Sequence, residues 1–392
     1  MIAASLIQIA VIGAGLIGPR HASHVLNNSH AGLFAIVDPS PTAKDIASSL
    51  GTKYFTSIKH MIAYCDQNGL QYPDGAIICT PNHTHIKVSA ELASYGIHLL
   101  VEKPLSSIPE EAKALKNFAK EKNVKVLVGH HRRFNPFIVE AKRNLHKVGE
   151  VIAIQGTWAL RKPESYFKMS PWRQDNKTGG GVLLINLVHD IDLLQYLFGP
   201  IERIYAELLK KQRTNMPNAD EGAALTIRFK NGITGTFICS DNVTSPFNFE
   251  SGTGENPTVP FQDQLEGFYR VFGSQGTLSV PDMHLFHQPD AVDENTNSWL
   301  HPIEKEQLVD DRLETLHSQM PFDLQLDHFI DVIKGRAEPL CTSDDGMSAL
   351  LCIDAVMKSV ESGIPQYVED IKNIKPNYEA LGLDSETVRL TK

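Results

Sequence analysis

Ile7-Gln8-Ile9-Ala10-Val11-Ile12-Gly13-Ala14-Gly15-Leu16-Ile17-Gly18 decides the fold of this chain. A short apolar run ends in G-x-G-x-x-G, the order expected of a strand that turns directly into a helix. Gly13 permits the tight turn off the strand. Gly15 leaves the backbone bare, so that a pyrophosphate can approach it, and Gly18 lets the following helix pack close to the strand. The helix start then offers unpaired N–H groups and the positive end of its dipole to phosphate. Gly13, Gly15, Leu16, Ile17 and Gly18 are the expected phosphate-loop contacts. A second apolar run, from Gly32, ends in Asp38, 20 residues beyond Gly18. A carboxylate there accepts hydrogen bonds from a ribose diol and repels a 2′-phosphate. The expected cofactor is NAD. NADP stays open, because Ser40 and Lys44 are placed to take a 2′-phosphate if Asp38 turns away.

Outward from this stretch, strand and helix signals alternate to about residue 130, which implies a parallel sheet. Strands are expected at Ile7–Ile12, Phe34–Val37, Tyr54–Phe55, Gly75–Cys79, His98–Val101 and Val124–Val128, with helices between them. Ligands of such sheets bind beyond the carboxyl ends of the strands. Three segments therefore converge on one crevice: Gly13–Gly18, Thr80-Pro81-Asn82-His83-Thr84-His85, and Glu102-Lys103-Pro104. Beyond Gly129 the texture changes to alternating runs of antiparallel type, with a hairpin turn at Asn231-Gly232. One helix, Gly181 to Phe198, is inserted among them. Ser245–Phe261 and Gln288–Pro302 read as long loops. The fold expected is an α/β Rossmann domain, residues 1–130, followed by an α+β domain, residues 131–392, with a large, mostly antiparallel open sheet. The last helices, Phe322–Lys334 and Asp344–Ser362, are expected to return to the first domain. A sheet face without helical cover predicts burial against another copy, hence a homodimer or homotetramer.

Composition narrows the function classes. The 392 residues suffice for two domains, and a net charge of -9 argues against nucleic acid and other polyanionic partners. No run of about 18 apolar residues is present, so no membrane span is expected. The apolar N-terminus lacks a basic n-region and runs into the glycine fingerprint, which reads as a first strand rather than a signal peptide. Five cysteines without a C-x-x-C pair read as reduced thiols, which places the chain in the cytoplasm.

Three segments carry chemistry. In Glu102-Lys103-Pro104, proline fixes the chain and aims the lysine into the crevice, where an ammonium can hold a substrate hydroxyl and stabilise alkoxide character. Alone, Lys103 is equally a surface lysine after a strand. Gly179-Gly180-Gly181 leads into a helix on which Asn186 and His189 lie three apart and share a side. His189 is a candidate general base, or a satisfied core histidine, with Asp192 one turn on to orient it. His189, Asp190 and Asp192 match no closed metal motif, and no metal is expected. Trp172 is a candidate to cover a nicotinamide and Arg173 to reach a phosphate, or both anchor a loop. Arg132 and Arg133 are candidates for substrate contact or for capping the domain junction.

Together these residues resemble the glucose–fructose oxidoreductase / inositol 2-dehydrogenase / MocA (Gfo/Idh/MocA) family over nearly the whole chain. The resemblance rests on Gly13–Gly18, Asp38, Thr80–His85, Glu102–Pro104, Arg132-Arg133-Phe134-Asn135-Pro136, Trp172-Arg173 and the glycine triplet followed by His189. It implies NAD(P)-dependent hydride transfer at a hydroxyl-bearing carbon of a sugar, cyclic polyol or related alcohol. It implies Lys103 as the lysine that engages substrate and cofactor, and His189 as proton acceptor and donor. Thr80, Pro81, Asn82, His85, Glu102, Trp172 and Arg173 complete the expected cofactor contacts. Lys103, Arg132, Asn186 and His189 are the expected substrate contacts. One position departs: many members carry Asp or Asn four residues before the histidine, where this chain has Ile185, with Asn186 next to it. Two alternatives stand beside this reading. One is a non-catalytic dinucleotide-binding sensor or regulator, and the other an NAD-dependent glycoside-cleaving enzyme with a transient hydride step.

Overall fold

The computed structural model describes residues 6–216, 218–262, 265–288, 299, 301–309 and 319–383. They fall into two compact units. One comprises the chain up to His131 with Phe322–Leu350 and the segment from Asp370. The other comprises Arg132–Pro321 with Leu351–Glu369.

The first unit is built on six strands: β1 (Ile7–Ile12), β2 (Ala31–Val37), β3 (Lys53–Phe55), β4 (Gly75–Ile78), β5 (His98–Val101) and β6 (Val126–Val128). They form a sheet in the order β3-β2-β1-β4-β5-β6, with every neighbouring pair parallel. Their central residues, such as Ile9–Val11, Ala76–Ile78 and Leu99–Val101, are buried, as continuous apolar runs covered on both faces must be. The helices α1 (Gly18–Asn27), α2 (Thr42–Ser49), α3 (Ile58–Asn68), α4 (His85–Ser94) and α5 (Pro109–Glu121) connect the strands. The winding reverses between β1 and β4, so the loops after these two strands border the crevice where such sheets bind ligands.

The second unit holds a nine-stranded sheet: β7 (Val151–Ala159), β8 (Ile201–Leu208), β9 (Gly222–Phe229), β10 (Thr234–Ser240), β11 (Tyr269–Gly273), β12 (Gly276–Val280), β13 (His284–His287), β14 (Glu304–Gln307) and β15 (Gln366–Tyr367). The order is β14-β13-β12-β11-β7-β10-β9-β8-β15. Alternation sorts the side chains: Ile154, Trp158, Leu225, Ile227, Phe237 and Val271 are buried, while Gln155, Thr226, Thr236, Ile238 and Phe272 are exposed. The Asn231-Gly232 hairpin forms, with Gly232 at φ 97°, a left-handed conformation that favours glycine.

Four local expectations are corrected. β7 and β10 pair in parallel, inside a sheet whose other neighbouring pairs are antiparallel. The helix expected from Gly181 begins instead as a π-helical turn, Leu183–Leu187, followed by α-helix Val188–Phe198. The first long loop contains a short helix, Phe249–Thr253, capped by the Asn248 side chain, which accepts from Ser251 N–H. β14 and β15 were not expected. Of the second long loop, most of 288–302 lies outside the described residues.

Candidate active-site elements

Each fingerprint glycine has a measurable reason. A Cβ on Gly13, at φ 98°, would stand 2.8 Å from the Cys79 carbonyl carbon, so the turn after β1 lies against the end of β4. A Cβ on Gly18 would stand 2.0 Å from the Gly13 carbonyl oxygen, which forbids any side chain there. Around Gly15 nothing lies within 4 Å, leaving bare backbone at the start of α1. Leu16 is exposed and Ile17 half-buried at the tip of the same turn. Asp38, at the end of β2, accepts Ala14 N–H through Oδ2 and Ser40 N–H through Oδ1, both at 2.7 Å. Each oxygen keeps a second lone-pair direction for a ribose hydroxyl. The open backbone at Gly15, the helix start and the acid at the end of β2 fit an NAD dinucleotide.

After β4, Pro81 is exposed and Asn82 half-buried, and Thr80 Oγ1 accepts from Thr84 Oγ1 at 2.7 Å. His85 differs from expectation. It is 1% exposed, and both ring nitrogens are occupied: Nδ1 lies 2.8 Å from the Pro104 carbonyl oxygen and Nε2 2.9 Å from that of Thr80. It joins two loops rather than reaching a ligand with its ring. Burial lowers its pKa, against the two carbonyls and the Glu102 charge, which raise it. Glu102 also turns inward, its Oε1 2.8 Å from His21 Nε2. Its carboxyl is held down to about 2: burial opposes ionisation, but the His21 hydrogen bond and the charges of His21, His131 and Lys103 prevail. Lys103 follows, half-buried. His21 was missed in the sequence, although a histidine on the strand-facing side of the fingerprint helix, three residues past Gly18, was the signal.

In the second unit the glycine triplet is explained by packing. A Cβ on Gly180 would meet the Trp172 carbonyl oxygen at 2.6 Å, and one on Gly181 would meet Asp220 Oδ2 at 2.0 Å. Asp220 caps the helix that follows, accepting Leu183 N–H at 3.0 Å, and burial raises its pKa to about 6. Trp172 is 41% exposed. Arg173 is buried, donates to the Tyr166 carbonyl oxygen at 2.7 Å and lies over the Tyr166 ring at 4.0 Å, so its guanidinium anchors a loop. His189 is buried in the first turn of its helix, and Asn186 Oδ1 accepts a 2.6 Å hydrogen bond from Lys162 Nζ. Lys162 was not anticipated; a lysine following the apolar run of β7 carried only a weak signal.

Arg132 and Asp192 are assigned differently from the sequence reading. The Arg132 guanidinium is buried among Glu255 (2.8 Å), Glu250 (2.8 Å) and Asp190 (3.5 Å) and lies over the Phe249 ring, so its charge is met by the protein's own carboxylates. Asp190 also accepts from Tyr269 Oη at 2.5 Å. Burial pushes its carboxyl up to about 7, against the pull of Arg132. Both carboxylate oxygens of Asp192 accept from the Arg133 guanidinium.

Residues 7–130 match the family model described as "Oxidoreductase family, NAD-binding Rossmann fold", and residues 142–369 match that family's "C-terminal alpha/beta domain". Among curated relatives, inositol 2-dehydrogenase of Rhizobium meliloti (strain 1021) is 26% identical over 366 residues, covering 90% of this chain and 97% of its own. The scyllo-inositol 2-dehydrogenase (NAD(+)) of Bacillus subtilis (strain 168) is 25% identical over 364 residues, covering 92% and 95%. Among solved structures, the WlbA dehydrogenase of Bordetella pertussis, in complex with NADH and UDP-GlcNAcA, shares the fold with a TM-score of 0.72 at 21% identity, covering 94% of this chain and all of that one.

Proposed function

This chain belongs to the Gfo/Idh/MocA family of NAD-binding oxidoreductases, and from that premise we propose that it oxidises or reduces a hydroxyl-bearing carbon of a sugar or cyclic polyol. The observation that carries this reading is the strand order. It sets Glu102-Lys103-Pro104, after β5, beside the Thr80–His85 loop after β4, which in turn adjoins the fingerprint turn after β1. A lysine at that position would face the reacting end of a dinucleotide whose phosphates met the fingerprint. When bound, the nicotinamide supplies the hydride-accepting carbon. Lys103 holds the substrate hydroxyl and stabilises negative charge on its oxygen. His189 takes the hydroxyl proton, which suits an imidazole near neutral pH. Lys162 and Asn186 form a polar pair able to recognise further hydroxyls.

The inositol dehydrogenases among its relatives make cyclic polyols the first substrates to try. The test is absorbance of reduced nicotinamide with NAD and a panel of inositols and aldoses, using wild type, Lys103→Ala and His189→Ala. The expected result is a signal lost by at least about a hundredfold in either variant. Near-normal turnover in both variants removes the assigned roles. Product without net cofactor reduction identifies glycoside cleavage instead.

The open face of the nine-stranded sheet supports self-association, since Ile238 and Phe272 are exposed on it at 47% and 37%. We assign a second copy to this face, in a homodimer or homotetramer, and light scattering at micromolar concentration decides it. Among the described residues no helix is long and apolar enough to cross a membrane. All five cysteines are buried thiols, which supports a reducing compartment, the cytoplasm.

A further inference from the structure

Lys103 is flanked by two anchored neighbours, and each anchor is a buried histidine, one from α1 and one from the start of α4. On one side His21, in the first half of α1, meets the Glu102 carboxylate at 2.8 Å, with side-chain exposures of 4% and 12%. The other oxygen of Glu102 accepts Lys103 N–H at 3.3 Å. On the other side His85 spans from the Pro104 carbonyl to the Thr80 carbonyl. The His21 ring is itself fixed edge-on against Phe322, 5.1 Å between centroids, and His131 stacks on Phe322 at 4.5 Å.

We propose that His21 and His85 are positioning residues: they brace the backbone on either side of Lys103 and tie it to the fingerprint helix and the Thr80 loop. This rests on Lys103 being the lysine that engages the substrate.

The chemistry of the two anchors differs. Glu102 is an acceptor, so His21 needs one N–H, at Nε2. His85 faces two carbonyl oxygens, both acceptors. A neutral imidazole has one N–H and satisfies only one of them, whereas the imidazolium satisfies both. Burial acts against that charge, while Glu102 favours it and His83 opposes it. In either protonation state His85 is the link between the loops after β4 and β5. Its removal frees Pro104, and with it the Lys103 backbone, without touching the bare backbone at Gly15 or the Asp38 carboxylate. A misplacement of about 1 Å at a reacting group costs on the order of a hundredfold in rate.

The test compares His85→Ala, His85→Gln, His21→Ala and His21→Gln with wild type. At position 21 glutamine returns an N–H donor near Nε2, toward Glu102; at position 85 it returns one toward the Thr80 carbonyl and not toward Pro104. Two readouts are taken: kcat beside the NADH dissociation constant, and labelling of Lys103 by an amine-reactive reagent relative to exposed Lys59, read by peptide mass spectrometry. The expected result in both alanine variants is a loss of kcat of about a hundredfold, with NADH affinity within threefold. Lys103 labelling changes at least threefold, and both effects are largely reversed by glutamine at one or both sites. The brace is overturned if Lys103 labelling is unchanged in the alanine variants, or if kcat and NADH affinity fall together and glutamine restores neither. The labelling arm needs no substrate. If wild type turns over nothing in the panel, the substrate assignment fails while the brace is still decided.

Discussion

Arg133 and Asp192 form a two-pronged ion pair, Nη2 to Oδ1 at 2.7 Å and Nε to Oδ2 at 2.9 Å, with side-chain exposures of 4% and 1%. The planar guanidinium matches the carboxylate edge to edge, a geometry lysine cannot reproduce. The pair fixes the start of the second unit to the helix that carries His189. Asp192 lies one turn beyond His189, and its commitment to Arg133 holds that helix in rotation.

Breaking one side of this pair strands a buried charge. Arg133→Met is expected to destabilise the protein by about 3–5 kcal/mol, because the Asp192 carboxylate keeps its desolvation cost and loses its partner. The double variant Arg133→Met/Asp192→Leu is expected to recover most of that loss. Urea midpoints of wild type and the two variants measure it; Arg133→Met within about 0.5 kcal/mol of wild type removes the structural role of the pair.

The Asp190 carboxyl, pushed up to about 7 by burial, makes stability depend on pH. Its folded-state value exceeds the unfolded one, so the folded protein binds the proton more tightly. That contribution is fully present below about pH 4 and is lost as pH rises through about 7, at up to roughly 1.4 kcal/mol per pH unit. Asp220, also raised, has the same sign over a window ending near 6. Asp190→Asn keeps an acceptor for Tyr269 Oη and removes the titration. Melting temperatures from pH 5 to 8 should therefore fall more steeply for wild type than for the variant. Parallel curves would show that Asp190 does not titrate in this range.

The parts of this fold legible in the sequence are those whose cause is local. The fingerprint glycines, the Asn231-Gly232 turn and the continuous apolar run of β4 are each dictated by a few adjacent residues. The partners of Arg132 were not legible: Glu250 and Glu255 lie 118 and 123 residues away and sit in what reads as a polar loop. An arginine whose charge is met inside the fold looks, in sequence, the same as one that awaits an anion. β14, Glu304–Gln307, has no apolar alternation to announce it, since its burial pattern is almost entirely exposed. The parallel pairing of β7 with β10 is a property of the sheet and of neither strand. The π turn at Leu183–Leu187 shifts the side-chain register just ahead of His189, so counting back four residues to Ile185 on an ideal α-helix is not a reliable guide to which side chain shares its face.

Asp38 is the residue expected to set the choice between the two nicotinamide dinucleotides. Its oxygens already order the fingerprint turn through Ala14 and the β2 exit through Ser40, so its loss affects either cofactor through the loop. A ribose contact by Asp38 and its repulsion of a 2′-phosphate would act on the ratio. Asp38→Ala is expected to weaken NADH binding by about tenfold or more, the scale of a charged hydrogen bond, and to move the NADPH-to-NADH preference toward NADPH. Fluorescence titration with both nucleotides gives the ratio. Tighter NADPH than NADH binding in wild type would overturn the assignment of NAD.

Gly15 and Gly18 separate the two functions that one motif combines. At Gly18 an added Cβ meets the Gly13 carbonyl oxygen at 2.0 Å, backbone against backbone, with no flexible side chain to yield. Gly18→Ala must push α1 away from the β1 turn, and it should lower the melting temperature and the NADH affinity together. At Gly15 an added Cβ meets no protein atom within 4 Å and no left-handed φ is imposed, so Gly15→Ala should fold with the melting temperature of wild type. Its methyl group occupies the space a pyrophosphate needs, and NADH affinity should fall by at least tenfold. Thermal melts without nucleotide, beside NADH titrations, resolve the pair. Undiminished NADH binding by Gly15→Ala would mean that the phosphates do not approach the backbone there.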